Sequence, residues 1–213
     1  MERLIKEACV EGFTQALRAQ ELGADRIELC ENLVVGGTTP SLGTILACKK
    51  HLKIPVIVMI RPRGGNFIYN RYEMEIMADD IRTCLTAGAD GIAIGTLNDR
   101  DEIDMPNLQK LVKQAGHMQV TFHKAIDATA DIEKEFLRLC ESRLAQRVLT
   151  SGGASTALEG SATLKKMIAL SRDRLTVLVA GKVTQTNLGD LRKLIPANEF
   201  HGKKIVGEIL DFQ

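Results

Sequence analysis

The chain has no tryptophan and only two tyrosines and six phenylalanines in 213 residues. With so few stacking side chains, a net charge of +1 and no basic stripe, nothing points to nucleic acid or an anionic membrane as a partner. Long apolar runs are also missing. The longest, IPVIVMI, falls far short of the roughly 20 residues that span a bilayer. The opening MERLIKEACV enters strand-like sequence directly, without a signal-peptide pattern, so a cytoplasmic location is expected. The five cysteines are an odd, widely spaced set with no CxxC pair, which argues against a disulfide framework or a structural zinc site and for reduced thiols.

What is present is ordinary globular material, 45% apolar and 26% charged, and one domain over residues 1–213 is expected. Short β-branched runs alternate with helix-period stretches, the signature of a parallel sheet wrapped by helices. Strands are expected at Ile5–Cys9, Arg26–Cys30, Val56–Arg61, Gly91–Gly95, Gln119–His123, Arg147–Thr150, Thr176–Ala180 and Asn198–His201. Helices are expected at Thr14–Leu22, Leu42–His51, Tyr72–Ala87, Pro106–Ala115, Ile132–Arg143, Ala157–Ser171 and Gln185–Ile195. The run Leu22-Gly23-Ala24-Asp25-Arg26-Ile27 recurs as Ala87-Gly88-Ala89-Asp90-Gly91-Ile92, the helix-to-strand join of a βα unit. Eight such units make a (β/α)₈ TIM barrel. This one is small, since most run to about 250 residues, and its last unit is expected to be curtailed. An open doubly wound sheet would instead need a Gly-rich dinucleotide fingerprint after the first strand, and EACVEGFTQAL is not one.

Period-2 alternation along the first two strands sends Glu7, Cys9, Glu28 and Cys30 to one face, where two carboxylates and two thiols would meet side by side. The same alternation places Glu7, Glu28, Met59, Arg61, Thr121 and His123 in the lumen, gathered toward the C-terminal ends of the strands where this fold keeps its reactive face. An inward Glu must pair with Arg or His or take up a proton, so a self-satisfied ion network competes with a functional site. Arg61 ends an apolar strand and is expected to clamp an anion or an internal carboxylate.

The loops beyond the strands are rich in glycine. Gly152 and Gly153, then Gly181 with Lys182, follow the later strands, where this fold builds anion sites from backbone N–H groups. With Arg61 and Arg63 they form a candidate anion-binding set. The plainer alternative is that these glycines only make tight turns.

The runs IELCENLVVGGTTPSLG, VMIRPRGG, TFHKAID, RVLTSGGASTALEG and NEFH stand in order along nearly the whole chain, and together they resemble the CutC family of copper homeostasis proteins. The resemblance implies a cytosolic (β/α)₈ barrel that associates as homodimers or higher oligomers, with copper as its ligand. It also implies metal binding by the thiols at the ends of the first two strands, which correspond to Cys9 and Cys30. Where the family usually has three glycines after the seventh strand, this chain reads Ala180-Gly181-Lys182. Soft Cu(I) suits thiolates at low coordination number, and adjacent strands about 4.8 Å apart let two thiols share one ion. Cys48, Cys84 and Cys140 fall on helices and read as packing. The rival reading is an enzyme on a small phosphate- or carboxylate-bearing substrate, with Glu7 or Glu28 as acid or base, His123 as shuttle or electrophile and Arg61 as the clamp.

Overall fold

The computed structural model describes residues 3–172 and 174–209. Eight parallel strands close into one barrel in chain order: β1 (Ile5–Glu11), β2 (Arg26–Cys30), β3 (Val56–Met59), β4 (Gly91–Ile94), β5 (Gln119–Phe122), β6 (Arg147–Thr150), β7 (Thr176–Val179) and β8 (Glu199–Gly202). Seven helices surround it: α1 (Gly12–Glu21), α2 (Leu42–His51), α3 (Arg71–Thr86), α4 (Met105–Val112), α5 (Ile132–Ser142), α6 (Ser161–Ser171) and α7 (Leu188–Leu194). The expected TIM barrel is therefore present. The largest shift of boundary is at α6. It starts at Ser161 rather than Ala157: residues 157–160 form turns, and the Ala157 N–H bonds the Gly181 carbonyl beyond β7. Among the described residues no helix follows β8, and none is long and apolar enough to cross a membrane.

Local chemistry explains the joins. Gly23 and Gly88 follow α1 and α3 with φ of +87° and +76°, a left-handed turn that glycine adopts without strain. The aspartate of each repeated Gly-Ala-Asp then reaches across to the preceding strand. Asp25 accepts the Lys6 N–H at 2.9 Å and Asp90 accepts the Val56 N–H at 2.8 Å, satisfying donors that the strand starts leave open. Side-chain caps start several helices: Ser41 for α2, Asp104 for α4, Asp131 for α5, and an Asn70/Glu73 capping box for α3.

Alternation divides the strands as expected. Ile27, Leu29, Val56, Val58, Ile60, Ile92, Ile94, Val120 and Phe122 pack against the helices in one continuous core. Cys9, Cys30, Ile57, Met59 and Ala93 form a separate cluster inside the barrel, as do Leu149, Leu178 and Ala180. The register of the first two strands differs from the side-by-side expectation. Glu7 lies opposite Arg26, and Cys9 lies opposite Glu28. Closing a barrel requires tilted, staggered strands, so the like residues are displaced by one pleat rather than level.

Candidate functional site

The lowest inward level is a network of charges. Arg26 donates from Nε to Glu7 and from Nη2 to Glu199 at 2.6 Å, and Arg147 donates to the same Glu199 oxygen at 2.9 Å. His201 Nδ1 lies 2.8 Å from the other Glu7 oxygen. Burial alone would raise the Glu7 pKa, but Arg26 and His201 outweigh it and hold the carboxyl down at about 2. Glu7 is 1% exposed and does not line the cavity at the mouth. It therefore stands beneath the candidate site, in the self-satisfied network weighed as the alternative. Arg26, Glu199 and His201 were not singled out, although Glu199 and His201 flank the outward Phe200 in the same alternating pattern.

One level up, the reactive groups of β1, β2 and β8 converge. Ligand atoms of Cys9, Glu28 and Cys30 all lie within 4.8 Å of one another, and so do those of Glu7, Glu28 and His201. Thus Cys9 and Cys30 meet diagonally across the strand pair. A hydrogen bond from Cys30, stronger than the cost of burial and joined by the charge of His201, holds the Cys9 thiol well below its usual range. Cys30 moves the opposite way: its thiol is held protonated by the hydrogen bond to Cys9, by burial and by Glu28, whose Oε2 is a further acceptor at 3.7 Å. Burial disfavours the His201 charge, yet Glu28, Cys9 and Glu7 keep it protonated, well above the ordinary histidine value. Burial, together with the charges of Cys9 and Glu7, pushes Glu28 up to about 8 against the pull of His201, which lies 3.6 Å away. Cys48 and Cys84 are raised by burial to about 11 and about 12, as inert packing thiols are, and Cys140 is raised by the same cause.

Above the thiols opens a cavity of about 390 Å³ lined by Cys9, Glu28, Arg61, His123 and His201, among others. His123 caps a short 3₁₀ turn over Lys124–Ala128 by accepting the Ala125 N–H on Nδ1. Burial, then the nearby Arg61 charge, depress its pKa to about 3, so the ring is neutral. Arg61 has no internal carboxylate partner among the described residues. Its terminal nitrogens donate instead to the carbonyls of Val35, Gly37 and Gly65.

The glycine-rich corner after β6 is filled from within. Asp127 accepts the N–H groups of Ser151 and Gly153 at 3.0 and 2.9 Å and the hydroxyls of Thr150 and Ser151, and it pairs with Lys124. The Gly152 N–H goes to the Thr150 hydroxyl at 2.9 Å. The N–H groups of Gly152 and Gly153, expected to face an anion, are in this structure taken by Thr150 and Asp127. Gly152 is small for packing: a Cβ there would lie 2.6 Å from the Gly160 carbonyl oxygen. Arg63 is likewise turned outward, paired with Glu73 of α3 and absent from the cavity wall. Gly181 and Lys182 do line the cavity, Lys182 with a left-handed φ of +55°. Asp127 was missed because its partners come from a loop far along the chain.

The chain belongs to the CutC family, whose model matches residues 4–206. A CutC family protein of Xylella fastidiosa is 42% identical over 199 residues, covering 92% of this chain and 73% of its own length. The human copper homeostasis protein cutC homolog is 41% identical over 197 residues, 92% of this chain and 72% of its own. The crystal structure of CutC from Streptococcus agalactiae superposes with a TM-score of 0.90 at 32% identity, covering 95% of this chain and 99% of that one. An aldolase, QR15, shares the barrel with a TM-score of 0.68 at 14% identity over 95% of this chain and 91% of its own, a likeness of fold alone.

Proposed function

We propose that this copper homeostasis family member binds copper as Cu(I) at the C-terminal mouth of the barrel, with Cys9 and Cys30 as the ligands. The observation that carries the reading is the meeting of these two buried, unbridged thiols beside an access cavity lined by Cys9. The donor set fits the ion: two soft sulfurs match the low coordination number of Cu(I), whereas Glu28 is a hard donor and His201, as an imidazolium, has no lone pair to give. Binding to both sulfurs as thiolates leaves a buried complex of net negative charge. The His201 imidazolium beside Cys9 offsets that charge.

We further place the protein in the cytoplasm, where reduced thiols persist. We assign it a homo-oligomeric state, supported by exposed Val34, Leu42, Leu46, Tyr72 and Ile76. The test of the metal reading is anaerobic titration with Cu(I) against a chromophoric competitor. About one tightly held equivalent per chain is expected, and either Cys9→Ser or Cys30→Ser should nearly abolish it, because a two-coordinate site cannot lose one soft ligand. Full-strength binding by the doubly substituted protein would reject these ligands.

A further inference from the structure

The mouth cavity carries a second set of groups that the thiols leave unused. Arg61 is 5% exposed and lies over the Phe67 ring, 4.8 Å from its centroid, with its terminal nitrogens bonded only to neutral carbonyls. A buried guanidinium without a counter-charge is costly, and an anion in the cavity would supply one. Its Nε–H has no partner, and His123 Nε2, Thr121 Oγ1 and Glu28 Oε1 are buried and unpartnered too. Arg61, His123 and Glu28 all line the cavity. Because His123 Nδ1 accepts the Ala125 N–H at 3.2 Å, the proton of the neutral ring sits on Nε2, making that atom a donor. Gly95 makes room for the ring, since a Cβ there would come within 2.6 Å of Nδ1.

We propose that this cavity binds a small organic carboxylate, its COO⁻ group meeting the Arg61 Nε–H and the His123 Nε2–H and its hydrocarbon part lying against Met59, Phe67 and Leu149. A carboxylate is favoured over a phosphate for two reasons. The glycine corner that would hold a phosphate is filled by Asp127, and the two buried donors left without partners, Arg61 Nε–H and His123 Nε2–H, match the two oxygens of a carboxylate. The exposed Lys182 and Lys203 on the cavity wall add positive potential that draws anions inward. Cys9 shares the cavity wall, but the two donors that would hold the carboxylate belong to Arg61 and His123 and not to the thiols.

Calorimetric titration of the metal-free protein with propionate, pyruvate and succinate tests this, with inorganic phosphate and the uncharged isostere propionamide as comparisons. At least one carboxylate should saturate a single site below about 10 mM, with propionamide weaker by about tenfold or more. Arg61→Met should abolish binding. Because Arg61 also ties three loops together, His123→Phe provides the second variant. It keeps a ring in the slot, removes the donor, and should weaken binding about tenfold while the thermal transition stays cooperative. Failure of all three carboxylates to saturate, tighter binding of phosphate, or unchanged binding by His123→Phe would each overturn the proposal.

Discussion

His123 and His201 are the same side chain, both buried, yet held on opposite sides of neutrality by their neighbours. His201 faces Glu7, Glu28 and Cys9, whereas His123 faces Arg61. The consequence for His123 can be worked through with its sign. Its folded pKa of about 3 lies below the ordinary 6.5, so between these values the unfolded chain binds a proton that the folded one does not. Its contribution is therefore present above about pH 6.5 and is lost as the pH falls toward 3, by up to roughly 5 kcal/mol. Urea unfolding of the protein and of His123→Phe, compared from pH 7 to pH 4, should show the unsubstituted protein losing stability faster. Parallel pH curves would mean that His123 is protonated or exposed in the folded state. The roles of these residues were unequally legible. Cys9 and Cys30 stand out because thiols are rare and share one strand phase, while His201 sits in a short last strand whose partners are nearly the whole chain away.

At the scale of elements, β2 is the best case of structure read from local pattern and corrected by closure. Arg26, Glu28 and Cys30 alternate with Ile27 and Leu29, and the apolar pair does face the helices. Which residues of β1 they meet is not written locally, because the stagger belongs to the barrel as a whole. The stagger brings Arg26 level with Glu7 and replaces a carboxylate–carboxylate contact by an ion pair. Arg26 also holds Glu199 of β8, so this one side chain joins the three strands of the barrel's closing seam. Arg26→Met would leave the buried Glu7 and the half-buried Glu199 with one cation fewer and should cost about 3–5 kcal/mol at pH 7, read by chemical denaturation. Adding Glu7→Gln should recover part of that loss. A cost below about 1 kcal/mol for Arg26→Met would show that Arg147 and His201 already balance the network. The loops were less legible than the strands: their glycines signalled turns, but an internal carboxylate filling the corner depends on a distant aspartate.

At the scale of the whole molecule, the five thiols fall into two populations by their place in the fold. Cys9 lines the mouth cavity with Cys30 buried beside it inside the barrel, whereas Cys48, Cys84 and Cys140 are packed behind the strands on α2, α3 and α5. The folded chain therefore offers Cu(I) one pair of thiols, and the unfolded chain offers all five. A ligand at 100 times its dissociation constant stabilises the state it binds by about 2.7 kcal/mol, or roughly 5–10 °C in a domain of this size, less whatever it gains from the unfolded chain. The sign of the copper effect should then depend on the site. Under anaerobic, reducing conditions Cu(I) should raise the melting temperature of the unsubstituted protein. In Cys9→Ser/Cys30→Ser the folded state has lost its pair while the unfolded state keeps three thiols, so the same Cu(I) concentration should lower the melting temperature. Differential scanning calorimetry of the two proteins, each with and without Cu(I), measures both signs. A rise of equal size in the two would place the stabilising copper away from the β1–β2 mouth and leave the cavity around Arg61 and His123 as the better-supported site.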